Sequence, residues 1–294
     1  VHRSAREAGI VPAHEEAEDG LQLSDQVAVS VTELLDALWA DYVATTPQAE
    51  RIHRLLAGRG EVVLNDHVAL RTFGMPGIGI GALAKPFEAL GWVAQRDHYR
   101  FEDKKLVARY WQHADPKLPK VFISELNVYE LSASSTQIIE NLVSELPAGF
   151  GARADLPYAG RPWRVRKAEY ESLLRESEYA AWVAAFGFRV NHFTVNVNAL
   201  TTFPDLLSLN AFLLDHGFTL NESGGAIKGT PADRLEQSST RADEIEIEFT
   251  DATLRIPSCY YEFARRYPLP SGEIFQGFVP KSADKIFEST DVRR

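Results

Sequence analysis

Val62-Val63-Leu64-Asn65-Asp66-His67-Val68-Ala69-Leu70-Arg71-Thr72-Phe73 is the stretch on which the fold turns. Val62, Leu64, Val68 and Leu70 lie among polar neighbours, and the run is rich in β-branched residues, so the period is two and residues 62–73 read as a strand. A second stretch answers it over 188–198, where Val190, His192, Thr194 and Asn196 alternate with Asn191, Phe193, Val195 and Val197. A helix follows each strand: 83–90, ended by Gly91, and 203–216, ended by Gly217. Strands are expected next at 92–96, 105–112 and 121–128 in the first half. In the second half they are expected at 218–222, 227–229, 244–249 and 258–263. The order strand, helix, strands thus recurs, which is how an internal repeat is weighed.

Two such half-sheets, each with one helix, must close on one another to bury their apolar faces. The expectation is an α+β fold: two βαβββ-type repeats forming a curved, mainly antiparallel, barrel-like sheet around a central cavity. Residues 1–26 read as an acidic, disordered lead and 27–294 as one catalytic domain. Within that domain, 27–59 form a helical cover, with Thr32 as a candidate N-cap and a second helix over 49–56. The first repeat is 60–131, a helical connection runs over 132–186, and 187–294 hold the second repeat and the C-terminal segment.

The 294 residues are 45% hydrophobic and 24% charged, in the ordinary range for a globular chain. A net charge of −10 without a basic run argues against a nucleic-acid partner. No stretch approaches the roughly 18 apolar residues of a membrane span. One cysteine, Cys259, excludes a disulfide framework and a multi-cysteine zinc site. With no apolar signal core near residue 1, a cytoplasmic location is the expectation.

Of eight histidines, His67 and His192 stand out, each in the first strand of its repeat at comparable depth. An inward imidazole needs a receiver, and a metal ion is one. Position alone fits a hydrogen-bonded core pair equally well. Glu262 adds a third group, a carboxylate inside the aromatic run Tyr260-Tyr261-Glu262-Phe263. A buried Glu requires a cation or hydrogen-bond donors, and Arg265 or Arg266 would also serve. Two imidazoles and one carboxylate suit non-haem Fe(II) and leave positions open.

The segment Tyr260-Tyr261-Glu262-Phe263-Ala264-Arg265-Arg266 resembles the last ligand strand of the vicinal oxygen chelate superfamily. A closer resemblance is to the 2-oxoadipate dioxygenase/decarboxylase (hydroxyglutarate synthase) family, formerly a domain of unknown function. It rests on His67-Val68-Ala69-Leu70-Arg71-Thr72-Phe73, Val190-Asn191-His192-Phe193-Thr194, Gln237-Ser238-Ser239-Thr240, the Glu262 segment, and the run from Phe278 to Phe287. The resemblance implies that His67, His192 and Glu262 bind Fe(II), and that 2-oxoadipate and O2 become 2-hydroxyglutarate and CO2. It implies that Arg71, on the His67 face about 13 Å along a regular strand, holds a substrate carboxylate. It also implies substrate contacts at Ser282 and at Lys281, where the family carries an apolar residue. Gln237, Ser238 and Ser239 are candidate pocket groups, with a plain turn as the alternative. Glu125, taken as the counterpart of Glu262 in the first repeat, is open as a fourth ligand, a substrate contact or a partner of the ligands. The rivals are a Zn- or Ni-dependent glyoxalase-type isomerase or lyase and a non-catalytic carboxylate-binding protein. Oligomeric state is not set by the sequence.

Overall fold

Ser30 opens the first helix. Its hydroxyl accepts from Glu33 N, while the Glu33 carboxylate accepts from Ser30 N at 2.7 Å. This reciprocal box, rather than the expected Thr32, fixes the helix start. The computed structural model describes residues 29–279, so the acidic lead lies outside the described residues. Helix α1 (Val31–Thr45) hands over at Thr46 to α2 (Pro47–Gly58), whose first-turn proline needs no N–H partner.

The first repeat comprises β1 (Asn65–Phe73), α3 (Ile80–Glu88), β2 (Val93–Phe101), β3 (Leu106–Gln112) and β4 (Lys120–Leu126). Helices α4 (Ala133–Ser144), α5 (Lys167–Glu176) and α6 (Glu178–Phe186) connect it to the second. There β5 (Val190–Asn196), α7 (Leu206–Asp215), β6 (Lys228–Thr230), β7 (Leu235–Ser239) and β10 (Glu262–Arg266) follow the same order. The hairpin of β8 (Glu244–Glu248) and β9 (Thr253–Pro257) is inserted before the last strand as a separate two-stranded sheet.

One curled sheet of eight strands results, in the order β2-β3-β4-β1-β5-β10-β7-β6. Its two halves meet where β1 pairs β5 antiparallel. Each half has one parallel pair, β1 with β4 and β5 with β10, and its other pairs are antiparallel. The doubled βαβββ order therefore holds, with three local corrections. Residues 218–222 make only an isolated bridge, Leu220 to Thr240. The third strand of the second half is β7, which carries Gln237, Ser238 and Ser239. The strand expected at 244–249 belongs instead to the inserted hairpin. Polar β7 was hard to see because its outward-to-inward alternation lacks apolar residues after Leu235.

Strands β1 and β5 are buried along nearly their whole length. The polar half of each alternation faces a cavity, not solvent. Helix α1 seals the outer side of the seam: Trp39 and Tyr42 pack on Phe193 and Tyr261. Helix α6 is buried from Tyr179 through Phe186, consistent with its nearly unbroken apolar sequence. No helix among the described residues is long and apolar enough to cross a membrane.

Glu61 ties the entry to β1 to the exit from β5. Its two oxygens accept from the backbone N–H and hydroxyl of both Thr201 and Thr202, at 2.6–3.1 Å. Burial opposes ionisation, but these donors prevail and pull the carboxyl from 4.5 down to about 2. Because the folded value is depressed, the stabilisation is complete above about pH 4.5 and is lost as pH falls toward 2. Glu61→Gln should lower stability at pH 7 by about 2 kcal/mol and flatten the acid limb of a denaturant-melt series between those pH values.

Candidate active site

Register across three adjoining strands assembles the site. His67 on β1 pairs Thr194 on β5, and Thr194 pairs Glu262 on β10, so the three stand in one row. His192 lies two residues from Thr194 on the same strand and shares its face. His67, His192 and Glu262 are all buried, and their ligand-type atoms lie within 4.8 Å of one another. His67 Nε2 is 3.4 Å from Glu262 Oε1, and His192 Nε2 is 3.6 Å from Oε2.

A pair of β-bulges aims the two rings. Between Asn65 and His67 the pairing slips by one residue on β1, which leaves Asp66 extra. Between Val190 and His192 it slips on β5, which leaves Asn191 extra. A bulge re-aims a side chain beside its neighbour. Asp66 Oδ1 thus reaches His67 Nδ1 at 2.8 Å, and Asn191 Oδ1 reaches His192 Nδ1 at 2.9 Å. Both oxygens accept, so Nδ1 carries the hydrogen in each ring and Nε2 turns its lone pair to the centre. Sequence reasoning passed over both partners, although an Asx-His step stands in each repeat.

Asp66 is itself gripped. Arg266 donates to it through Nε and Nη2 at 2.6 and 2.9 Å, and Lys120 Nζ lies 4.0 Å away. Burial opposes the charge, but Arg266 and Lys120 hold the carboxyl well below its ordinary range. Burial keeps His192 neutral, with help from His67 and Arg71, as a ligand nitrogen must be. Burial also pushes the Glu262 carboxyl up, against His67 and hydrogen bonds from Gln237 and Thr194.

Gln237 Nε2 donates to Glu262 Oε1 at 2.6 Å. Thr194 Oγ1 stands 3.1 Å from His67 Nε2 and 3.2 Å from the same Oε1. Glu262 Oε2 has no hydrogen-bond partner among the described residues. A fully buried carboxylate with one orphaned oxygen, facing two imidazole lone pairs, fits a divalent transition metal by donor type.

The triad lines a cavity of about 30 Å³ together with Arg71, Gln237, Phe122, Tyr260 and Phe278. Arg71 is buried; its Nη1 donates to Glu178 Oε1 at 3.2 Å, and its guanidinium stacks on Tyr179 and Trp182. Phe278 stands edge-on to His67 with centroids 4.9 Å apart. Arg266 holds this tail by donating to Phe275 O and Gly277 O. Of the residues expected in the site, His67, His192, Glu262, Arg71 and Gln237 come together; Lys281 and Ser282 lie outside the described residues.

Glu125 does not join them. Its Oε2 accepts from Ile80 N at 2.7 Å and caps the start of α3, close against Gly79. Register explains the correction. Glu262 pairs the residue two after His192, whereas the residue two after His67, Ala69, pairs Phe122. The true counterpart of Glu262 is therefore Phe122, and the corresponding wall of the centre is aromatic.

The doubled βαβββ sheet has the vicinal oxygen chelate fold, which it shares with a crystal structure named as a glyoxalase superfamily protein from Ralstonia eutropha JMP134 (TM-score 0.68, 23% identity, 84% of each chain). The model of the family described as 2-oxoadipate dioxygenase/decarboxylase matches residues 26–153 and 160–275, and the chain belongs to that family. The chain is 37% identical over 278 residues to the 2-oxoadipate dioxygenase/decarboxylase, chloroplastic/amyloplastic, of Oryza sativa subsp. japonica, across 85% of this chain and 75% of the rice protein. It resembles the crystal structure of hydroxyglutarate synthase from Oryza sativa in complex with 2-oxoadipate, with TM-score 0.85 and 33% identity over 99% of both chains. A crystal structure from Shewanella frigidimarina NCIMB 400, named as a candidate hydrolase, is 49% identical with TM-score 0.83, over 86% of this chain and 98% of that one.

Glu125→Ala should cost about 1 kcal/mol of stability through the lost helix cap. Metal affinity, measured by competition with a chromogenic chelator, should not change; a weakened affinity would return Glu125 to the metal shell.

Proposed function

We propose that this protein is an Fe(II)-dependent dioxygenase/decarboxylase that converts 2-oxoadipate and O2 to 2-hydroxyglutarate and CO2. The observation that carries the reading is the buried His67–His192–Glu262 cluster in a chain of this family. Bound iron would supply electrons and the open coordination positions at which a keto-carboxylate and dioxygen meet.

The residues divide the remaining work. His67, His192 and Glu262 hold the ion, and Asp66 and Asn191 keep the two rings in the ligating tautomer. Gln237 and Thr194 fix the Glu262 carboxylate. Arg71 receives the far carboxylate of the substrate through a planar, two-pronged group. Tyr179 and Trp182 on its faces and Glu178 on one edge orient it. Phe122 and Phe278 keep water from the reacting end. We place the reaction in a reducing compartment such as the cytoplasm, which a single unpaired cysteine fits.

A redox-silent reading, metal-activated hydrolysis or isomerisation, takes its support from the Shewanella relative's name. It would be favoured by a fourth protein ligand, and Glu125, the candidate for that place, caps α3 instead.

Anaerobic loading with Fe(II) followed by an oxygen-electrode trace with 2-oxoadipate tests the proposal, with equal O2 uptake and CO2 release as the expected result. Turnover without O2 uptake would transfer the protein to the redox-silent class. His67→Ala and Glu262→Ala should each abolish iron retention and turnover in a folded protein. Asn191→Ala, which breaks no ion pair, should weaken iron retention about 10–100-fold with little change in melting temperature. Arg71→Ala should keep its iron and raise KM well above that of the parent.

A further inference from the structure

Tyr260 is fully buried, lines the same cavity as the triad and Arg71, and is used by nothing described so far. Its ring lies nearly parallel to His192, with centroids 4.7 Å apart and planes at 28°. Its backbone carbonyl accepts the Tyr42 hydroxyl at 2.5 Å, which pins the residue from the α1 side. The ring is thus held at both its base and its face. The hydroxyl at the other end has no hydrogen-bond partner among the described residues. Interiors rarely leave such a group unmatched, and an exception asks for a reason.

Surroundings supply the reason. Tyr260 shares one cavity with His192 and Glu262 of the triad and with the Arg71 guanidinium. A neighbouring residue provides the contrast. Tyr261 also has an unmatched hydroxyl, but its ring packs against Trp39, Tyr42 and Phe263 outside the cavity, where no ligand would reach it.

The geometry points to the Tyr260 hydroxyl as a substrate-binding group that donates a hydrogen bond to the far carboxylate of the dicarboxylic acid, beside Arg71. This inference rests on the proposed function and adds a determinant of specificity to it. A 2-oxo acid ending in a methyl group would leave both the hydroxyl and the guanidinium facing hydrocarbon. A site built to hydrogen-bond a substrate discriminates strongly against analogues that lack the matching group. Tyr260 makes the pocket select a second acidic end, at the reach set by a ring that cannot slide along His192.

The test is anaerobic titration calorimetry of Fe(II)-loaded protein with 2-oxoadipate and with 2-oxohexanoate, which has the same chain but no far carboxylate. Tyr260→Phe keeps the ring and removes only the oxygen. It should weaken 2-oxoadipate binding about tenfold, leave 2-oxohexanoate binding unchanged, and retain the parent's iron content. Tyr261→Phe should change neither affinity. Unchanged 2-oxoadipate binding in Tyr260→Phe, or an equal loss for both acids, would overturn the assignment. If the parent binds neither acid, the proposed function falls with it; if the parent discriminates and Tyr260→Phe binds 2-oxoadipate as tightly as the parent, only the role of Tyr260 falls.

Discussion

Moving an ionised carboxylate from water into a protein interior costs several kcal/mol unless charge and hydrogen bonds replace the lost hydration. Glu262 has no exposed surface, and it begins β10, the strand beside β5 at the joint of the two half-sheets. The neighbouring chemistry follows from that demand. Gln237 and Thr194 satisfy one oxygen, and two imidazoles, each tethered through Nδ1, face the group with their lone pairs. Lone pairs on both sides repel unless a cation stands between them. The polypeptide has collected acceptors around one point and kept its own cations, Arg71 and Arg266, engaged elsewhere.

The halves are alike in order and unlike in duty. Both give a histidine from their first strand, with a bulge behind it. Only the second gives a carboxylate, since the first half has Phe122 at the matching register. Asp66 and Asn191 differ in the same sense. The aspartate is charged and locked to Arg266, whereas the amide is neutral. Were an ion bound there, His67 would be the more electron-rich donor of the two.

The architecture was legible because a period of two with a histidine at matching depth occurs twice, each time before a glycine-stopped helix. Glu262 was legible because an acid in a run of aromatics demands a cation or donors, although Arg265 or Arg266 would have met that demand as well. The inserted hairpin was less so: Glu244, Ile245, Glu246, Ile247 and Glu248 alternate as any edge strand does, and nothing local says which sheet they join. Glu125 was misassigned for a related reason. Counting strands in order gives the right element, but the facing residue depends on a parallel register that the sequence does not state. Asp66, Asn191 and Thr194 act through bulges and cross-strand neighbours, relations that exist only once the strands have paired.

Arg266 is a joint between two jobs. With one edge it grips the acid that steers the His67 ring; with Nη1 it moors the carbonyls of Phe275 and Gly277, and its plane rests 5.3 Å from the Phe278 centroid. The aromatic wall of the chamber and the aim of an imidazole thus share one guanidinium as their mooring, so a change at residue 266 would loosen both at once.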